Sequence, residues 1–362
     1  MKSFCVLNQT LGENTGRIIG AAVCAAMGKK IGVAHNADER SVLAASFLEK
    51  GIVSSGGSAL MFGQCNESRV AFLTERYALS ACFYVSGDDY VTVCGADGKS
   101  VSAEDEKLIS DLASSDLLCE ESGNTAYINS DSAYLSAVVE VCGNLEDVCA
   151  DIRCKNAELS EVVRSAFAFS GGSISSKPSF CISYSGSCVS AVDERGNILT
   201  HENLLNICYV HSLMSGKSVE VGFTAPCCLE KIAEQNSVSL RRSFKGGNEP
   251  WQKDGVFLVA QILSVMAQKG EGLATLAQSL PEYASFRRSV VCALPTDKLA
   301  DLIECSEVIT DGESGVYART RLGNVLFTPC RSNGMYCMEV IANDRALACE
   351  LADELCLTIG DR

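Results

Sequence analysis

Ser183, Ser185 and Ser187 sit at alternate positions just ahead of the turn Val192-Asp193-Glu194-Arg195-Gly196-Asn197. As neutral hydroxyls they are poor ligands for a hard divalent cation, because such a cation needs anionic oxygens to offset its dehydration. A second group with chemical potential is Cys142, Cys149 and Cys154, a candidate thiol metal or redox site, although no His stands near it and the chain has no C-x-x-C pair. A third is Ser170-Gly171-Gly172-Ser173-Ile174-Ser175-Ser176-Lys177. Gly-rich backbone can aim N–H groups at an anion. This stretch lacks the Gly-Lys-Ser/Thr ending of a phosphate loop and a clear helix after it, so it reads as a flexible connection.

The chain that must position these groups has 362 residues, 47% hydrophobic and 21% charged, enough for several cores and too apolar for wholesale disorder. The net charge of −15 disfavours nucleic acid and anionic membrane surfaces as partners. No apolar run reaches the roughly 20 residues of a membrane span. Met1-Lys2-Ser3-Phe4-Cys5 opens no long apolar stretch with a cleavage site, so no signal peptide is expected. The 20 cysteines mostly punctuate apolar runs, as in Ala81-Cys82-Phe83-Tyr84-Val85, where a free thiol behaves as a small hydrophobe. That usage fits a reducing cytoplasm.

Strand-like and helix-like stretches alternate in the first third. Strands are expected at Lys30–Ala34, Ala59–Phe62, Ala81–Val85 and Tyr90–Cys94. Helices are expected at Ser41–Lys50, with Ser41 as N-cap and Gly51 as terminator, and at Glu67–Tyr77. Short connections between them imply an α/β layer with a largely parallel sheet. Farther on, Ala225–Glu234 reads as a helix entered through Pro226, and Asp254–Leu263 as a helix apolar on nearly all sides and therefore buried.

Several turns resemble those of the α-D-phosphohexomutases, the phosphoglucomutase and phosphomannomutase family. Gly95-Ala96-Asp97-Gly98-Lys99 with Ser102 to Glu106, Asp193 to Leu199, and Asp254 to Leu263 are similar to family stretches in the same order. Counting back from Asp193 puts Ser183, Ser185 and Ser187 on the family's three metal-binding aspartates, and Cys188 on its arginine. Ser86, in Val85-Ser86-Gly87-Asp88-Asp89, falls where the family keeps its phosphoserine. The neighbouring His and Asn are lacking, and Asp88 and Asp89 would repel a phosphate. His35 and Asp38 replace two family arginines; His35 reads otherwise as a loop or capping histidine. Glu249 is a relic candidate for the ligand of a sugar hydroxyl in a shortened sugar loop, and nearby Trp251 covers the core or stacks on a sugar. Thr328-Pro329-Cys330-Arg331-Ser332-Asn333-Gly334 falls on the phosphate loop. There Arg331 could still grip an anion in bidentate fashion, with Ser332 beside it.

The resemblance implies three mixed α/β domains around a cleft and a smaller C-terminal α+β domain. The expected boundaries are 1–125, 126–209, 210–284 and 285–362, with the second and third shortened. Because all four functional loops are altered together, the expected function is that of a non-catalytic homologue acting by binding or assembly. Its partner would be a second copy or an active mutase, and no cofactor is expected. The alternative is a phosphosugar enzyme with residual or altered intramolecular phosphotransferase activity, which would use Mg2+.

Overall fold

The computed structural model describes residues 11–86, 90–115, 122–311, 314–330 and 334–360. In chain order they begin with α1 (Glu13–Met27), β1 (Lys30–His35), α2 (Glu39–Ser54), β2 (Ser58–Gln64), α3 (Arg69–Arg76), β3 (Ala81–Ser86), β4 (Tyr90–Gly95), α4 (Ala103–Ala113) and β5 (Asn124–Tyr127). There follow α5 (Asp131–Cys142), β6 (Cys149–Cys154), α6 (Ala157–Phe169), β7 (Ser173–Ile182), β8 (Val189–Val192), β9 (Ile198–Leu199), α7 (His201–Met214), β10 (Val219–Gly222), α8 (Leu229–Gln235) and β11 (Leu240–Ser243). The rest forms α9 (Pro250–Lys253), α10 (Gly255–Lys269), α11 (Leu273–Gln278), β12 (Ala284–Val291), α12 (Thr296–Ala300), β13 (Glu307–Asp311), β14 (Gly315–Arg319), β15 (Asn324–Pro329), β16 (Met335–Ala342) and α13 (Arg345–Gly360). These elements divide into two compact units, Met1–Ile198 with Glu249–Gly270, and Leu199–Asn248 with Glu271–Arg362.

In the first unit, strands ordered β4-β3-β1-β2-β5 make a sheet that is parallel except for β4. Alternate residues feed opposite cores. Ile31, Val33, Met61 and Phe83 meet α1, α2 and α4, while Leu60, Phe62, Cys82 and Cys94 meet α3. Burial on both faces is why these strands read as continuous apolar runs.

Two expectations for α2 are corrected. Its N-cap is Asp38, whose side chain accepts from Arg40 N at 2.8 Å, and Ser41 lies buried inside the first turn. Gly51 does not end the helix, which continues to Ser54. A β-carbon at Gly51 would stand 2.1 Å from Arg17 O, so this glycine allows the close approach of α1 to α2.

A second sheet of the same unit, ordered β6-β7-β8-β9, pairs β6 with β7 in parallel and β7 with β8 antiparallel. Here Ser173–Lys177 is the first half of β7, not the flexible connection its composition suggested. Ser173 pairs with Cys149 and Ile174 with Ala150, then the register jumps to Ser179 opposite Asp151. The helix read at Asp254–Leu263 is present as α10, and eleven of its fifteen residues are buried.

One buried polar network crosses the unit. Arg69, with a side chain only 1% exposed, pairs with Asp131 at 2.6 Å and Glu158 at 3.4 Å, and its guanidinium lies 4.5 Å from the centre of the Tyr134 ring. Tyr134 OH donates to Asp254 Oδ2 at 2.6 Å, and Asp254 Oδ1 caps α10 by accepting from Val256 N at 2.8 Å. Tyr134 also packs edge-on against Phe72 and Phe257.

In the second unit, β10 and β11 pair in parallel, and an antiparallel sheet ordered β12-β16-β15-β14-β13 shares its core with α12 and α13. The helix read from Ala225 starts later, at Leu229. Arg242 holds the approach out of helix: its Nη1 donates to the carbonyls of Gly222, Phe223 and Ala225, and its Nη2 to Pro226 O. Nε of the same side chain meets Glu230 Oε1 at 2.7 Å, a carboxylate shared with Arg319 at 2.9 Å. Phe223, in that loop, stacks on Tyr317 with ring centres 4.1 Å apart. Among the described residues no helix is long and apolar enough to cross a membrane.

Two outcomes follow. Gly51→Ala should lower stability by about 2 kcal/mol or more in denaturant unfolding, because two packed helix backbones must separate. Burial raises the carboxyl of Asp254 to about 6, against hydrogen bonds from Tyr134 and Val256 that lower it. A carboxyl raised in the folded state contributes stability that is fully present below its unfolded value and is lost as pH rises through about 6. The stability of the wild type relative to Asp254→Asn should therefore fall by on the order of 3 kcal/mol from about pH 4 to about pH 7. A flat difference would contradict this.

Candidate functional site

The 183–188 loop joins β7 to β8 and is held by its backbone. Ser183 N donates to Cys188 O at 2.8 Å and Gly186 N to Ser183 O at 3.1 Å, with Gly186 at φ +81°. Ser185 O accepts from Ser68 N, and Gly186 O accepts from Gly255 N at 2.7 Å, the first residue of α10. A β-carbon at Gly186 would approach the Ser68 hydroxyl to 2.3 Å.

The three serine side chains do converge. Ser183 Oγ and Ser185 Oγ are 3.2 Å apart, and Ser185 Oγ and Ser187 Oγ are 2.8 Å apart. Cys188 N donates to Ser183 Oγ at 3.1 Å. The hydroxyls thus serve one another and the turn. As three neutral oxygens they do not fit a hard divalent cation. Among the described residues no group of three His, Cys, Asp or Glu side chains could hold a metal ion. That includes the three cysteines singled out above, which the structure does not bring together. Cys142 is buried in the last turn of α5, while Cys149 and Cys154 end a six-residue strand about 16 Å long.

The neighbouring turn is intact. Asp193 Oδ1 accepts from Arg195 N at 2.9 Å and Asn197 N at 2.8 Å, and Oδ2 from Asn197 Nδ2 at 2.8 Å. Burial pushes this carboxyl up, but those hydrogen bonds outweigh it and hold it below the usual range.

Ser86 closes β3 opposite Tyr90, and its hydroxyl donates to Tyr90 O at 3.3 Å, the bond of a turn serine. It also lines a small cavity of about 10 Å³ with Leu11, Arg40, Ser41, Ala44, Val85 and Val91. Ser41 Oγ is buried there without a hydrogen-bond partner, and the space suits about one water molecule. Arg40 was not read as a site residue from the sequence and Ser41 was read only as a helix cap; their position beside Ser86 depends on the pairing of β1 with β3. Half-buried His35 ends β1 with Nδ1 2.7 Å from Asn36 O.

Glu249 precedes the single turn of α9, its backbone N–H donating to Gln252 Oε1 at 3.0 Å and its side chain exposed. Trp251 is buried. Arg331 and Ser332 lie outside the described residues, as do Asp88 and Asp89. At the edge of their loop, Cys330 N donates to Met335 O at 2.9 Å. A cleft of about 430 Å³ in the second unit, lined by Asn203, Tyr283 and Asn343 among others, sits at the Ala284–Ala342 end of the antiparallel sheet. Cys330 and Gly334 lie at the opposite end, beside Val291 and Met335, with Cys292 N donating to Gly334 O at 2.8 Å.

No family model and no curated protein matches the sequence. Solved structures do match. A phosphoglucomutase/phosphomannomutase family protein of Burkholderia thailandensis is 13% identical with a TM-score of 0.76, covering 99% of this chain and 94% of its own. The chain has the α-D-phosphohexomutase fold. Parafusin of Paramecium, a phosphoglucomutase seen in an open form, is 9% identical with a TM-score of 0.66, covering 96% of this chain and 91% of its own. An Aspergillus fumigatus N-acetylphosphoglucosamine mutase, solved with GlcNAc-6P and magnesium, is 8% identical with a TM-score of 0.54, covering 97% and 92%. In this chain the turn at Asp193 is closed by side-chain hydrogen bonds while the loop before it carries hydroxyls.

The loop geometry makes a direct prediction for calorimetric titration with Mg2+. The wild type should give no saturable isotherm, whereas Ser183→Asp, Ser185→Asp and Ser187→Asp combined should create one on the same backbone. Saturable binding by the wild type that the triple change leaves unaltered would contradict the reading of this loop.

Proposed function

We propose that this chain is a non-catalytic homologue of the phosphohexomutases that acts in the cytoplasm by binding or assembly. The observation that carries this reading is the hydroxyl-only loop of Ser183, Ser185 and Ser187, whose side chains are bonded to one another. Phosphoryl transfer draws its rate from positioning and from neutralising charge on the phosphoryl group. Without anionic ligands for a cation, and with Ser86 bonded to a backbone carbonyl, both sources are weakened at once.

A second reading keeps a phosphosugar in play. The cavity shared by Ser86, Arg40 and the unpartnered Ser41 hydroxyl offers an arginine and two hydroxyls close to the position where the fold's enzymes carry a nucleophile. On that reading the chain is an intramolecular phosphotransferase with altered requirements, and Ser86 is its nucleophile.

Turnover of glucose 1-phosphate, mannose 1-phosphate and glucosamine 1-phosphate, with and without Mg2+, separates the two. The proposal expects no product above the buffer rate, and no change on Ser86→Ala. Product formation abolished by Ser86→Ala would overturn it in favour of the second reading. Thermal unfolding with the same sugars reports binding without turnover. A ligand selective for the native state, at about 100 times its dissociation constant, stabilises by about 2.7 kcal/mol.

A further inference from the structure

The first unit contains two sheets built on a similar plan, and one of them stops short. In the larger sheet β1 is flanked by parallel strands on both sides, β2 and β3. Between β1 and β3 the chain inserts α2, β2 and α3; between β6 and β7 it inserts α6 alone. Among the described residues β6 is therefore the outermost strand, with β7 as its one strand neighbour. The place that β2 fills beside β1 has no strand beside β6. An outer strand presents a row of backbone donors and acceptors that can template another chain.

We propose that β6 pairs antiparallel with β6 of a second copy of this chain, about a two-fold axis through Ile152. In that register Asp151 faces the partner's Arg153, and Arg153 faces the partner's Asp151, so one complementary pair is made twice, as a two-fold interface requires. Asp151 and Arg153 already lie on the same face of the strand, with Arg153 Nε 2.5 Å from Asp151 Oδ2 and the Arg153 side chain 68% exposed. Redirecting the guanidinium across the axis needs little rearrangement. Ile152, 6% exposed on the opposite face, meets its own symmetry mate and continues the apolar layer below the sheet. The register is specified as well. A two-residue slip sets Asp151 against Asp151 or Arg153 against Arg153, and a one-residue slip turns Ile152 to the charged face. A six-residue edge is small beside a standard interface of about 1,600 Å², so the dimer is reversible and forms in the micromolar range. The pairing stands whether or not phosphoryl transfer has been lost, and its failure would leave the proposed function untouched.

Sedimentation equilibrium of the full chain, in reductant so that the exposed Cys149 and Cys181 cannot cross-link, tests it. The wild type is expected to associate to a dimer. Asp151→Arg and Arg153→Asp should each weaken association at least about tenfold while the chain stays folded by far-UV circular dichroism. The melting midpoint should hold for exposed Arg153→Asp and drop somewhat for Asp151→Arg, because the Asp151 side chain is only 19% exposed and accepts from Ser179 Oγ at 3.3 Å. An equimolar mixture of the two variants should associate again, because an all-arginine edge then faces an all-aspartate edge. A wild type that stays monomeric through the micromolar range overturns the proposal. So does a dimer that neither substitution weakens, or two variants that fail to associate when mixed.

Discussion

Arg69 sets the terms for the first unit. Taking a guanidinium out of water costs several kcal/mol, and only close partners offset it. Those partners come from separate elements: Asp131 and Tyr134 from α5, Glu158 from the first turn of α6, with Arg69 itself on α3. Tyr134 passes the constraint to Asp254, the cap of α10. Gly255, next in the chain, is bonded to Gly186 in the 183–188 loop. One buried charge thus gathers three helices and, through a fourth, fixes the position of the loop.

This explains how the loop keeps its place with serines in it. Its backbone is tied to Ser68 and Gly255, so the turn does not depend on a cation drawing the side chains together. The same separation of frame from chemistry recurs at β3, where Ser86 is held by strand pairing and a carbonyl, and at α9, where exposed Glu249 forms a capping box with Gln252 at the start of a one-turn helix. A fold can persist while the groups it once positioned change. In the second unit Arg242 plays a role like that of Arg69, spending its donors on loop carbonyls and on Glu230.

Much of the frame was legible in the sequence because it follows from local patterning. The strands β1 to β4 are apolar runs buried on both faces, and α10 is apolar all round. The turn at Asp193 carries the side-chain acceptor and the glycine that its geometry needs. What escaped depends on distant partners. Gly51 looks like a helix stop until α1 is packed against it, and Ser173–Lys177 looks like a linker until β6 offers it a ladder. Arg40 and Ser41 acquire meaning only when β3 brings Ser86 beside them. Arg69 is an ordinary helix residue in the sequence; Asp131 and Glu158, which explain it, lie more than sixty residues away.

The central proposal is that the phosphohexomutase fold is present here without phosphoryl transfer. The most direct test is the intact mass of the folded protein, as purified and after incubation with a hexose 1,6-bisphosphate and Mg2+. An unmodified mass in both samples is the predicted result. Stoichiometric addition of one phosphoryl group, mapped to Ser86 and removed by hexose monophosphate, would contradict the account.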